Sequence, residues 1–203
     1  MDRKPQGYGK HIGMDVETKA APSAPPALQS NQEWIRPYMG VLNVNVGCGF
    51  APIDGFRNLK QEQWWLGEYS APFRTDSVDL VLASHVMEHV QDIIAAMREI
   101  HRVLRPGGHF IAITPYASSD DAFEDPTHVR SFTELSWHYF NSDLYAKSGH
   151  AGHYESRITY KFEVVQVALV PYPEFANDPE LEFKKRHWRN VIRELHAVLR
   201  KVN

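Results

Sequence analysis

Val41-Leu42-Asn43-Val44-Asn45-Val46-Gly47-Cys48-Gly49 is an apolar run that breaks into a glycine turn, and the reading of everything after it follows from that break. A short apolar run bounded by glycine reads as a buried strand. The missing side chains at Gly47 and Gly49 let main chain come close to a ligand. Ser77-Val78-Asp79-Leu80-Val81-Leu82-Ala83 gives a second strand, and His109-Phe110-Ile111-Ala112-Ile113-Thr114 a third. Between them Ile93, Met97, Ile100 and Leu104 recur at helical spacing behind Asp92 as N-cap, until Pro106 and Gly107-Gly108 end the helix. Strand, helix, strand with short polar connections predicts a parallel sheet covered by helices, an α/β fold.

Working outward, Arg57-Asn58-Leu59-Lys60 reads as a short further strand and Tyr160 to Val170 as β-branched strand material. Trp64-Trp65 is an apolar knot, either core or one wall of a pocket for a flat base. Tyr116 to Arg130 is a polar loop too long for a mere connector, and such loops at strand ends commonly meet substrates. Ser131-Phe132-Thr133-Glu134 spells a capping box before an aromatic helix through Trp137, Tyr139 and Phe140. Leu181, Trp188, Ile192, Leu195 and Leu199 suggest an apolar stripe on a closing helix, with Lys184-Lys185-Arg186 on its solvated face. Residues 1–33, with Pro22, Pro25 and Pro26 and few large apolar side chains, read as a flexible arm. Trp34, Ile35 and Tyr38 are the first groups able to dock on a core, so the expected domain is 34–203.

The chain has 203 residues, 43% hydrophobic and 23% charged, which suits one soluble globular domain. No run approaches the roughly 18 apolar residues of a membrane helix. A formal charge of −3 makes a nucleic acid partner unattractive, and oligomeric state is not legible. The single cysteine, Cys48, excludes an internal disulfide framework, and a cytoplasmic setting follows as the default expectation.

In an open parallel sheet, ligands bind outside the carboxyl ends of the strands where strand order reverses. Gly47-Cys48-Gly49, Ser84-His85 and Pro115-Tyr116 all fall at such ends, so three loops should converge on one crevice. The glycine turn, Ala71-Pro72-Phe73 through Val81, Ala83-Ser84-His85-Val86-Met87-Glu88-His89, and Glu99 through Gly108 resemble, in order and spacing, class I S-adenosylmethionine-dependent methyltransferases. Asp125-Pro126-Thr127-His128-Val129-Arg130-Ser131-Phe132 is similar to a motif in a branch of small bacterial and phage members.

The resemblance implies a Rossmann-like, seven-stranded, mostly parallel sheet with helices on both faces and a reversed last strand, binding S-adenosylmethionine. It places Gly47, Cys48 and Gly49 under the methionine part, Asn45 where many members carry an acidic residue, and Glu68 near the adenine amino group. Ser84 and His85 would border the sulfonium. One departure is Lys60, which stands where an acidic residue usually takes the ribose hydroxyls; lysine cannot accept hydrogen bonds, and Glu62 is the candidate substitute.

His128 and Asp125 are the first candidates for catalytic groups, and Arg130 and Tyr116 for acceptor contacts, with a small molecule or sugar as favoured acceptor. Two other classes remain open. Lys60 motivates a noncatalytic binding or regulatory protein of the same fold. His85-x-x-Glu88-His89 has the letter order of inverted zinc peptidases, which needs both histidines on one helix.

Overall fold

The computed structural model describes residues 32–49, 52–147 and 158–202. The arm expected over 1–33 therefore lies, as far as residue 31, outside the described residues.

Strand β1 (Asn43–Val46) is buried at all four positions, because it is flanked on both edges and covered on both faces. The other strands are β2 (Arg57–Leu59), β3 (Val78–Ser84), β4 (Leu104–Pro115), β5 (Phe162–Pro171) and β6 (Ile192–Lys201). Their order across the sheet is β2-β1-β3-β4-β6-β5. β1 pairs in parallel with β2 and with β3, and β3 with β4, whereas β6 runs antiparallel to β4 and β5. The last strand is thus the reversed one. The chain leaves β1 to one side for β2 and crosses to the other for β3, which puts the topological switch point beyond Val46 and Ser84.

Helix α1 (Ile93–Val103) starts where Asp92 accepts the Ala95 amide at 3.0 Å, and it buries Ile94, Ala96, Met97, Ile100 and Val103. It packs on one sheet face with Val44, Val81, Phe110 and Ala112. The opposite face presents Leu80, Leu82, Ile111, Ile113 and Val198 to Ile35 and Phe56. The cover there is the two 3-10 helices Gln32–Trp34 and Arg36–Tyr38. Ile35 is fully buried and Trp34 stacks on His196 with centroids 5.2 Å apart, so the docking expected of Trp34 and Ile35 occurs.

Three expectations change. The sheet has six strands among the described residues, where the resemblance implies seven. The connection from β2 to β3 makes a 3-10 helix at Gln61–Gln63, then breaks at Gly67 (φ +85°) and Pro72, while Trp64, Leu66 and Ala71 plug the core. Secondly, the closing helix is short: α2 (Leu181–His187) ends before Trp188, and Ile192, Leu195 and Leu199 belong to β6. A strand buried on both faces does not alternate, so the apolar spacing there matched a helix by coincidence. Thirdly, the capping box sits two residues later. Thr133 donates its amide to Ser136 Oγ at 2.9 Å and Ser136 returns its own amide to the Thr133 carbonyl, opening the 3-10 helix Glu134–Phe140.

Trp64 is core, whereas Trp65 is 41% exposed. Lys184 pairs with Asp178 and Glu180, and Lys185 with Glu134 and Glu182, so the basic run is a neutralised face.

Candidate functional site

Gly47 (φ +65°) and Gly49 (φ +50°) both occupy left-handed backbone, which disfavours a side chain, but their surroundings differ. A Cβ at Gly47 would stand 2.6 Å from Val86 Cγ2, so this glycine lets the loop after β3 pack on the turn. At Gly49 nothing lies within 4 Å of that position, and the main chain faces open space. The Cys48 amide is committed to the Leu59 carbonyl at 3.1 Å, tying the turn to the end of β2. Asn45 is buried and donates to Asn58 Oδ1 at 2.9 Å; Asn58 in turn holds Ile53 and Phe56 main chain. Asn45 therefore braces the β1 to β2 crossing.

Past β2, the Lys60 amide donates to Gln63 Oε1 and its ammonium is exposed. Glu62 and Glu68 are exposed as well, and none of these three side chains forms an ion pair with the described residues. Lys60 and Glu62 directly follow β2, which runs parallel to the strand that leads into Gly49.

Ser84 ends β3 half-buried, and His85 follows at φ +52° with its amide donating to Ile113 O at 2.8 Å. Its imidazole is 42% exposed and spans two carboxylates: Nδ1 is 3.4 Å from Glu88 Oε1 and Nε2 is 3.8 Å from Glu194 Oε1. Glu88, helped by the charge of Glu194, holds His85 above the ordinary imidazole range, against burial and Arg193. Burial favours the neutral form of Glu194. The hydrogen bond from His196 Nε2 at 3.0 Å and the charges of His196, Arg193 and His85 outweigh it, and the carboxyl lies below its usual range.

The long loop after β4 is latched onto the segment after β3. Arg130 donates to the carbonyls of Val90 and Gln91, and the Val129 amide to that of Glu88. Asp125 Oδ1 accepts from both the amide and the hydroxyl of Thr127, which hold its carboxyl below the usual range. His128 Nδ1 lies 3.2 Å from the Ala122 carbonyl, and His89 Nδ1 lies 2.8 Å from Thr127 Oγ1. Tyr116 is buried, with its hydroxyl donating to Glu134 Oε2 at 2.8 Å; burial and that carboxylate push its pKa up.

Of the residues singled out in sequence, Gly49, Lys60, Ser84 and His85 thus flank the carboxyl ends of β1, β2 and β3, Glu68 is exposed on the connection from β2 to β3, and Gly47, Cys48 and Asn45 are used in holding the turn. Asp125, His128 and Arg130 cluster on the latched loop. Sequence reasoning missed Glu194, because β6 was read as helix, and it missed the tie of Thr127 to His89. The peptidase arrangement does not form: His85 sits in a left-handed turn and only Met87–His89 is helical, as one 3-10 turn.

Residues 54–112 match a family model described as a methyltransferase domain. The uncharacterized methyltransferase YcgJ of Bacillus subtilis (strain 168) is 31% identical over 104 residues, covering 46% of this chain and 40% of its own length. The uncharacterized protein YafE of Escherichia coli (strain K12) is 31% identical over 78 residues, covering 34% of this chain and 38% of its own. The chain therefore spans about two fifths of the length of these curated relatives. A phosphoethanolamine N-methyltransferase 2 from Haemonchus contortus, solved with phosphomonomethylethanolamine and S-adenosylhomocysteine, shares the fold at TM-score 0.52. It is 11% identical over 89% of this chain and 54% of its own. Over residues 54–112 this chain is thus similar to a methyltransferase domain, and S-adenosylmethionine is the cofactor that this likeness implies.

The residues present fit that cofactor. An open positive-φ glycine gives main chain for the amino-acid portion, and the exposed Glu62 and Glu68 are acceptors for hydroxyl and amino groups, which Lys60 is not.

Proposed function

We propose that this chain transfers a methyl group from S-adenosylmethionine to a small-molecule or sugar acceptor held beyond the carboxyl end of β3. The observation that carries the reading is Gly49, whose open main chain lies at the switch point of the sheet in a chain with this likeness. The cofactor, when bound, supplies an electrophilic methyl on sulfur, and in-line displacement forms the acceptor–carbon bond as the carbon–sulfur bond breaks. The chain's own work is to orient the acceptor and exclude water. Ser84 and His85 border the place where the acceptor would stand, and His85 has an exposed ring steadied from two sides by Glu88 and Glu194. Asp125 and His128 shape the loop above, through Thr127 and Ala122. A cleft of about 420 Å³ lies between the start of α1 and the 3-10 helix, lined by Ile93, Arg130, Phe132, Leu135 and Tyr139. That volume suits a small acceptor.

Calorimetry with S-adenosylmethionine and S-adenosylhomocysteine tests the reading, with Gly49→Arg as the blocked control. Heat with both ligands, lost in the control, is the expected result. Absence of heat with either ligand sinks it and favours the second reading, a noncatalytic protein of the same fold, which Lys60 motivates. Release of S-adenosylhomocysteine across a panel of hydroxyl, amine and sugar acceptors then identifies the substrate class.

A further inference from the structure

Glu88, His89 and His128 come together from two separate loops. One carboxylate oxygen and one nitrogen from each ring lie within 4.8 Å of one another. Glu88 is 1% exposed, and its only close partner among the described residues is the His85 ring, 3.4 Å from Oε1. Burying a carboxylate without donors is costly, and such a group normally faces a cation. His85 stands 3.4 Å from Oε1 at one side, which leaves Oε2 without a partner.

The hydrogen bonds around the two rings fix their tautomers. Thr127 gives its hydroxyl proton to Asp125 Oδ1, so its oxygen is an acceptor toward His89, and His89 must carry its proton on Nδ1. The Ala122 carbonyl can only accept, so His128 also carries its proton on Nδ1. Both rings keep the lone pair on Nε2. The carboxylate and the two rings lie within reach of one cation, and each imidazole is anchored through Nδ1 to a protein oxygen, which leaves Nε2 as its ligating nitrogen. That is the outer arrangement that metal-ligating histidines use to fix ring orientation.

We propose that Glu88, His89 and His128 bind one divalent first-row transition-metal cation, through Nε2 of both histidines and a Glu88 oxygen. Two nitrogens and one carboxylate oxygen favour zinc, cobalt or iron over magnesium or calcium, which prefer oxygen ligands. Three protein ligands leave at least one position for water or an acceptor atom. Bonds of about 2.0 to 2.2 Å require the three groups to close by roughly an ångström, a movement available to two half-buried rings. The cation would tie the loop after β4 to the turn after β3, and it does not depend on the transferase reading.

The full chain, stripped with chelator and dialysed, is titrated with Zn²⁺ by calorimetry and with Co²⁺ by visible absorption. One equivalent of each is expected, with cobalt d–d bands of a nitrogen- and oxygen-ligated site. His89→Ala, His128→Ala and Glu88→Gln should each weaken binding by about 100-fold, and Thr127→Ala, which loosens His89, by about 10-fold. His187→Ala, on the exposed face of α2, should leave it unchanged. To separate loss of a ligand from an effect on folding, the wild-type chain is also followed by nitrogen-15 histidine spectra. Two rings should show protons on Nδ1 before zinc is added and shift at Nε2 afterwards. No stoichiometric binding, binding lost in His187→Ala but kept in the ligand variants, or no Nε2 shift would overturn the assignment.

Discussion

Arg130 donates to the Val90 carbonyl through Nη2 at 2.7 Å and Nε at 3.2 Å, and so clamps the loop after β4 to the segment that leads into α1. The same Nη2 reaches the Gln91 carbonyl at 2.9 Å. Hydrogen bonds from a charged donor are worth more than neutral ones, and removing this side chain leaves the partly buried Val90 carbonyl and the exposed Gln91 carbonyl without it. Arg130→Ala is expected to lower the unfolding free energy by about 2 kcal/mol in urea titration. Amide exchange over residues 117–133 should quicken more than elsewhere. Lysine lacks the fork that spans two carbonyls, so Arg130→Lys should recover little of the loss.

The two glycines of the first turn should respond to alanine in different ways. At Gly47 the new Cβ would lie 2.6 Å from Val86 Cγ2, so Gly47→Ala adds a clash to the left-handed strain of about 1 to 2 kcal/mol. At Gly49 only the strain applies. Gly47→Ala should therefore cost more stability, and Val86→Ala in the same chain should return part of that excess. Gly49→Ala should keep most of its stability while losing cofactor affinity. Equal melting-temperature losses for the two would show that packing against Val86 is not what requires glycine at position 47.

Much of this fold is legible in local chemistry. Buried runs bounded by glycine, proline or polar residues mark β1, β3 and β4, and Asp92 marks the start of α1, because each signal lies within a few residues of what it controls. The reversed strand β6 is different. Ile192, Leu195 and Leu199 are buried by partners on β4 and β5 more than twenty residues away in sequence, so their spacing alone does not separate strand from helix. The site shows the same divide. His85 and Gly49 are visible as residues after strands, whereas the approach of Glu194 to His85, and of Thr127 to His89, exists only once β6 and the long loop are in place.

Glu99 on α1 gives a pH signature. Its carboxylate accepts the Ala71 amide at 2.7 Å and both Nε and Nη2 of Arg102, which also holds the Phe73 carbonyl. Burial raises its pKa, but these bonds to Arg102 and Ala71 outweigh burial, and the net shift is downward. A depressed carboxyl stabilises the fold above its unfolded pKa of about 4.3. That stability is lost as pH falls through the native value below it. Glu99→Gln should be less stable than the parent chain at pH 7, and the gap should shrink as the solution is acidified below that range. A gap that stays constant down to low pH would mean that the pair with Arg102 carries no charge-dependent stability.

Lys60 gives a test of whether a bound nucleoside lies at the end of β2. It follows β2, the strand beside β1, with its side chain in solvent and its amide engaged by Gln63. An ammonium there offers no acceptor to a ribose diol and places a like charge near a sulfonium, so both effects oppose binding. Lys60→Asp reverses both. Hydrogen bonds to a carboxylate are worth about 1.5 to 3 kcal/mol, so tighter binding of S-adenosylmethionine by at least about tenfold is expected in calorimetry. S-adenosylhomocysteine, which lacks the positive sulfur, should gain less than the methylated form, and the difference between the two gains isolates the electrostatic part. Tightening of neither ligand would mean that the ribose does not lie at the end of β2, and that Glu62 already supplies the acceptor or the nucleoside sits elsewhere.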